Sequence, residues 1–225
     1  MHPPVLAPSI LSADFANLST QLRATYRAGI RWLHLDIMDR HFVPNLTFGA
    51  PVVKALRPIH AGFYFDAHIM VSNPGDHVED LAAAGCQCVT FHEEAAGDRT
   101  AEILRAIRAR GMHAGLAIKP GTPVEAMEPY LDQLDLALIM TVEPGFGGQA
   151  LIPHCLTKVR QLRRQRSEHS QYRYLIQVDG GINEKTVGLA TSAGADVLVA
   201  GNAVYNGSPI PDNVSHLQSL MRSGN

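Results

Sequence analysis

His34 and Asp36 stand two residues apart in the stretch WLHLDIM (32–38), whose alternating apolar residues read as a β-strand. Residues two apart on a strand share a face, so the imidazole and the carboxylate point the same way. An uncompensated carboxylate in apolar surroundings is costly, and buried charges are paired or bound to metal. Two other groups offer partners: His68, near the end of FYFDAHIMV (63–71), and Asp179, which ends YLIQVD (174–179). Two imidazoles and two carboxylates form a donor set for a divalent transition metal such as zinc, manganese or iron. For the first pair alone a plainer reading stays open, with His34 donating to a backbone carbonyl and Asp36 capping a turn. Asp39 falls past the strand end and reads as a loop residue facing water.

The four groups can meet only if three strands end at one place. Apolar runs recur at 5–10, 31–37, 63–71, 86–92, 113–118, 136–142, 174–179 and 196–201. Helical patterns follow them at 15–29, 50–58, 74–85, 98–111, 123–132, 151–168, 183–194 and 212–222. Gly29, Gly85, Gly111 and Gly194 close four of these helices, as a left-handed C-cap requires. Strict alternation of strand and helix implies a parallel sheet. Eight units in 225 residues predict an α/β fold, a (β/α)8 TIM barrel, as a single catalytic domain over residues 1–225. An open doubly wound sheet is the alternative, but APSILSADF lacks the Gly-rich dinucleotide turn expected after its first strand. In a barrel the reacting groups lie where strands end and βα loops begin.

Three of those loops are rich in glycine: EPGFGGQ (143–149), DGGI (179–182) and AGNAVY (200–205). Glycine permits positive φ and close backbone approach, and successive loop amides near a helix N-terminus form an anion site. Together they point to a phosphate. Met38, Met70 and Met140, near three strand ends, read equally as packing or as an apolar lining of the mouth. His92 also ends a strand and reads as an orienting or substrate-contacting group rather than a ligand. His41 and His77 stay ambiguous. His2, His60, His113, His154, His169 and His216 read as surface or packing residues.

The bulk composition excludes several classes. A net charge of −2 creates no basic field for nucleic acid, and no window approaches the ~18 apolar residues of a membrane span. MHPPVLAPSI has no charged segment followed by a long apolar run. Cys86, Cys88 and Cys155 form no zinc-knuckle pattern and read as buried thiols of a reducing, cytoplasmic compartment. Cys86 and Cys88 are expected on one face of the fourth strand.

Taken in order, LAPSILSADFANL, LHLDIMDRHFVPNLTFG, FDAHIMV, GLAIKPGT, MTVEPGFGGQ, VDGGI and VAGNAVY resemble the ribulose-phosphate 3-epimerase family, from about Leu6 to Tyr205. The resemblance implies an isomerase of the pentose phosphate pathway that interconverts D-ribulose 5-phosphate and D-xylulose 5-phosphate. It implies one divalent cation on His34, Asp36, His68 and Asp179, zinc first, with iron, manganese or cobalt as alternatives. Asp36 and Asp179 would be the acid/base pair. Substrate contacts would be Ser9, His68, Gly145, Phe146, Gly147, Gly148, Gly180, Gly181, Gly201 and Asn202. The implied partner is a small phosphosugar, with a homo-oligomer left open.

Two positions depart from the family: Arg40 where Gly or Asn is common, and Asn202 where Ser or Thr is usual. Rival readings are a 3-epimerase of a related ketose phosphate such as D-allulose 6-phosphate, a decarboxylase or lyase, and a non-catalytic phosphosugar-binding barrel. The lyase class commonly needs an Asp-Lys arrangement at the strand ends. Lys119 follows the fifth strand, but no comparable lysine accompanies Asp36.

Overall fold

A computed structural model describes residues 3–223, so His2 lies outside the described residues. Eight strands run in chain order: β1 (Val5–Pro8), β2 (Trp32–Met38), β3 (Tyr64–Met70), β4 (Cys88–His92), β5 (His113–Ile118), β6 (Leu136–Met140), β7 (Leu175–Asp179) and β8 (Val197–Ala200). All seven ladders are parallel, in the order β1-β8-β7-β6-β5-β4-β3-β2. Among the described residues, the remaining seam, between β1 and β2, is closed by one parallel bridge, Ser9 to His34. The expected eight-stranded barrel therefore forms, with its lightest closure beside the candidate site.

Among the described residues, eight α-helices accompany the strands: α1 (Leu18–Arg27), α2 (Ala50–Leu56), α3 (Val78–Ala83), α4 (Glu93–Ala96), α5 (Thr100–Ala109), α6 (Cys155–Glu168), α7 (Val187–Ala193) and α8 (Ile210–Ser223). The glycines expected to end helices do so at positive φ: Gly29 (91°), Gly85 (85°), Gly111 (74°) and Gly194 (111°). One expected helix differs. The crossover after β5 is a 3-10 segment, Val124–Gln133, with Pro129 inside it. Proline lacks the N–H that an α-helical turn needs and crowds the preceding turn, so the apolar pattern survives while the α ladder does not. The crossover after β4 carries two helices, α4 and α5, where one was expected.

Strand alternation divides the molecule into two interiors. Outward residues such as Leu33, Leu35, Phe65, Phe91, Leu116 and Ile176 are buried with the helices in one continuous core. Burying a side chain of this size contributes about 1.5–3 kcal/mol. The inward set is mixed. At the N-terminal end of the barrel, Ala7, Cys88, Leu136, Val197 and Val199 form a small apolar plug. Above it the strand register sets His34 beside Asp66, Asp36 beside His68, and Met38 beside Met70. Gly115 leaves room in this packed centre, since a Cβ there would lie 2.1 Å from Thr90 Oγ1. The cysteine expectation is corrected: Cys86 precedes β4 and joins the outer core, whereas Cys88 faces the inner plug. All three cysteines are free and buried.

Candidate active site and metal centre

His34, Asp36, His68 and Asp179 converge as their strand positions predict. Each offers a ligand atom, and these atoms lie within 4.8 Å of one another. His34 Nε2 is 3.4 Å from Asp36 Oδ1, 3.7 Å from Asp179 Oδ2 and 3.3 Å from His68 Nδ1. His68 Nδ1 is 3.2 Å from Asp36 Oδ1 and 3.5 Å from Asp179 Oδ2. A tetrahedron of ligands about 2.1 Å from a zinc ion has edges of about 3.4 Å. These separations thus match a cluster drawn around one small cation.

The proton arrangement also fits a cation. Asp66 Oδ2 lies 2.9 Å from His34 Nδ1 and takes a second hydrogen bond, 2.6 Å, from Gln177 Nε2. A carboxylate accepts, so His34 carries a proton on Nδ1 and turns Nε2 into the cluster. Burial alone would suppress a charge on His34, but the Asp36 and Asp66 carboxylates outweigh it and raise its proton affinity well above the ordinary imidazole value. His68 is likewise raised against burial, through Asp179 and Asp36. Burial also opposes ionisation of Asp36, yet His34 and His68 hold its carboxyl well below the usual range. The site demands positive charge, and its donor set is that of a divalent-metal centre.

Ser9 closes the barrel seam and serves the site as well. Its hydroxyl donates to Asp36 Oδ2 at 2.5 Å, leaving Oδ1 toward the histidines. Above the cluster opens a cavity of about 340 Å³. Ser9, Asp36, Asp179, Gly145, Phe146, Gly147, Gly148, Gly180, Gly181, Gly201 and Asn202 all line it. His34 and His68 do not; both are fully buried beneath the floor. Met38, Met70 and Met140 line the cavity wall, which decides their even reading in favour of an apolar mouth.

The glycine loops are shaped by close backbone approach. Gly181 has φ +67°, and a Cβ there would lie 2.3 Å from the Leu151 amide nitrogen. Gly148 has φ +77° and lies against Asn202, whose Nδ2 would be 2.9 Å from a Cβ at that position. Gly201–Tyr205 is a turn in which the Val204 and Tyr205 amides donate to the Gly201 carbonyl at 2.9 and 3.0 Å.

The loop after β2 is tied down at both ends. Asp39 does not simply face water: its carboxylate accepts from the amides of His41 (2.7 Å), Phe42 (2.9 Å) and Ser72 (2.8 Å). Partial burial is outweighed by these bonds, and the Asp39 carboxyl is pulled down to about 2. Asn45 Nδ2 donates to the Gly145 carbonyl at 2.8 Å, joining this loop to the one after β6. Arg40 is exposed and has φ 62°, the left-handed conformation that favours Gly or Asn over a long side chain. Lys119 Nζ lies 3.8 Å from the centre of the Phe42 ring, engaged in a cation–π contact.

Sequence reasoning missed Asp66, Gln177 and Glu94. Asp66 stands two residues before His68, the same spacing that singled out His34 and Asp36. A filter for strand C-termini passes over it because it lies lower in the barrel. His92, expected to orient a neighbour or touch substrate, sits with Nε2 2.9 Å from His68 Nε2 and Nδ1 3.1 Å from Glu94 Oε2. Burial pushes its pKa down to about 4.

A model of the Ribulose-phosphate 3 epimerase family matches residues 5–205. The chain belongs to that family. Among members of the ribulose-phosphate 3-epimerase family, the cytoplasmic isoform of Oryza sativa subsp. japonica is 46% identical over 216 residues, covering 95% of this chain and 92% of the relative. The Ribulose-phosphate 3-epimerase of Treponema pallidum (strain Nichols) is 49% identical over 203 residues, covering 90% of this chain and 92% of its own. The fold is shared more widely. The KGPDC of Streptococcus mutans superposes with a TM-score of 0.76 at 14% identity, covering 99% of each chain. The 3-hexulose-6-phosphate synthase of Salmonella typhimurium gives 0.75 at 14% identity, covering 98% of this chain and 100% of that one.

Proposed function

We propose that this chain is a ribulose-phosphate 3-epimerase, interconverting D-ribulose 5-phosphate and D-xylulose 5-phosphate by proton transfer at C3. The observation that carries the reading is the convergence of Asp36 and Asp179, from β2 and β7, on the floor of a cavity rimmed by glycine loops. The C3–H lies α to the C2 ketone, so its removal gives an enediolate. Asp36 and Asp179 flank the floor, and we assign them as the two acid/base groups. One removes the proton from one face while the other, protonated, returns one to the opposite face; the roles exchange in the reverse direction. Each carboxylate turns one oxygen to the histidines, and its other oxygen handles the proton. Ser9 orients the outer oxygen of Asp36.

We assign His34, Asp36, His68 and Asp179 as the ligands of one divalent cation, zinc first, with iron, manganese or cobalt as alternatives. When bound, it supplies a fixed positive charge beside the reacting carbon, which favours the anionic state. The backbone amides of the loops at 145–148, 180–181 and 201–202 hold the phosphate and fix the register of the sugar. The methionine wall keeps the reacting region apolar, which strengthens electrostatic effects there. We take residues 1–225 as one catalytic domain, acting in the cytoplasm on a small phosphosugar without nucleic-acid or membrane partners.

The test is NMR in D2O with ribulose 5-phosphate. Xylulose 5-phosphate carrying solvent deuterium at C3 is the expected product. Turnover without deuterium at C3 would rule out proton exchange, and a parallel run with allulose 6-phosphate decides between the two ketose phosphates.

A further inference from the structure

His68 presents its two ring nitrogens to different surroundings. Nδ1 faces the cluster, 3.2 Å from Asp36 Oδ1 and 3.3 Å from His34 Nε2. Nε2 faces away from it, 2.9 Å from Nε2 of His92. Both rings are fully buried. Two nitrogens at that separation share one proton, and the direction of that bond decides which lone pair His68 turns to the cluster.

The direction is set further out. His92 Nδ1 lies 3.1 Å from Glu94 Oε2. A carboxylate only accepts, so the His92 proton belongs on Nδ1 and its Nε2 carries a lone pair. That lone pair accepts the Nε2–H of His68, so His68 keeps this proton on Nε2 and presents Nδ1 to the cluster as the nitrogen that would meet a cation. Glu94 is itself immobilised. Its Oε1 accepts from the Lys119 amide at 2.7 Å and from the Thr122 hydroxyl. The loop that carries these groups is held by the buried Lys158 of α6, whose ammonium donates to the carbonyls of Lys119 (3.0 Å), Pro120 (2.7 Å) and Thr122 (2.5 Å). A continuous hydrogen-bonded chain thus runs from α6 to His68. His34 has a separate support, Asp66 with Gln177, inside the barrel.

We propose that Glu94, acting through His92, is a positioning residue for His68: it fixes the ring nitrogen presented to the Asp36–Asp179 cluster and thereby sets the affinity of that cluster for a divalent cation. The inference rests on the reading of the cluster as a cation site. Outer partners of ligating histidines typically change metal affinity by about 10–100-fold when removed.

The test uses the metal-stripped full chain and Co2+ alone as probe. Calorimetric titration should show Glu94→Ala and His92→Phe binding Co2+ about 10–100-fold more weakly than wild type. Thr122→Val, which removes one of Glu94's bonds but leaves the His92 contact, should change affinity far less. Histidine-labelled wild type, followed by two-dimensional 1H–15N NMR, should show His68 protonated on Nε2 and His92 on Nδ1 without any substitution. Glu94→Ala should lose that signature while its metal-free melting transition remains cooperative. Wild-type His92 protonated on Nε2, or unchanged affinity in both variants, would overturn the proposal. A wild-type chain that binds no Co2+ would remove the cation reading, and this inference with it. Wild-type binding with unaffected variants would remove the positioning role alone.

Discussion

At the scale of single residues, the two carboxylates carry the heaviest expectation. Asp36→Asn and Asp179→Asn should each lower kcat by about 10²-fold or more, the range typical of a lost acid/base group. Circular dichroism should show an intact barrel in both, because the change is isosteric and lies beside a solvent-accessible cavity. Near-normal turnover in both variants would end the two-base scheme. Arg40 makes a different kind of prediction. Its φ of 62° places an L side chain in the left-handed region, at a cost of about 1–2 kcal/mol. Arg40→Gly removes that cost and adds about 0.5–1 kcal/mol of backbone entropy to the unfolded chain. The net expectation, read by urea denaturation, is a stability gain of between about 0 and 1.5 kcal/mol. A loss of stability would mean that the exposed guanidinium contributes more than the backbone strain removes.

At the scale of elements, the βα loops are pinned by single groups. Asp39 joins the loops after β2 and β3 through three amide hydrogen bonds. Its carboxyl titrates near 2 in the folded chain, below the ordinary value of about 3.9 expected when unfolded. A depressed folded value stabilises above the unfolded pKa, and the contribution disappears as pH falls through the folded one. Wild type should therefore lose stability between about pH 4 and pH 2 more steeply than Asp39→Ala, which starts less stable at neutral pH. Parallel stability–pH curves for the two proteins would contradict this. Gly181 makes the second loop prediction. A methyl group there would overlap the Leu151 amide in a backbone conformation at φ +67°. Gly181→Ala should displace the β7 loop and raise KM for the phosphosugar much more than it lowers kcat.

At the scale of the whole molecule, the barrel has two interiors with different jobs. The outer core, between strands and helices, supplies cohesion through apolar burial. The inner one holds the imidazoles and carboxylates at its C-terminal end, where closure between β1 and β2 rests on the single bridge from Ser9 to His34. A bound cation should tighten this region. Occupancy at about 100 times Kd adds about 2.7 kcal/mol, which for a chain of this size raises Tm by roughly 5–10 °C. Differential scanning of metal-stripped protein with and without divalent cation measures the shift, and an unmoved transition would argue against a site formed only on folding.

The local patterns in the chain were enough to determine the strand–helix alternation, the glycine helix ends and the placing of His34, Asp36, His68 and Asp179 at strand ends. These follow from signals that a short segment carries by itself, namely a period of two, a positive φ and a residue type at a boundary. The same signals failed where the outcome depended on a neighbour or on the backbone's tolerance. Cys86 and Cys88 have the spacing of one strand face, but the strand begins only at Cys88. The run at 123–132 has helical periodicity, but Pro129 turns it into 3-10 geometry. What only the tertiary structure decided is the support around the site. Asp66 reaches His34 across 32 residues, Gln177 reaches Asp66 across 111, and Glu94 reaches the loop of Thr122 across 28. Such pairings arise from strand register and ring closure, which bring distant positions to one height in the barrel. No local periodicity encodes them.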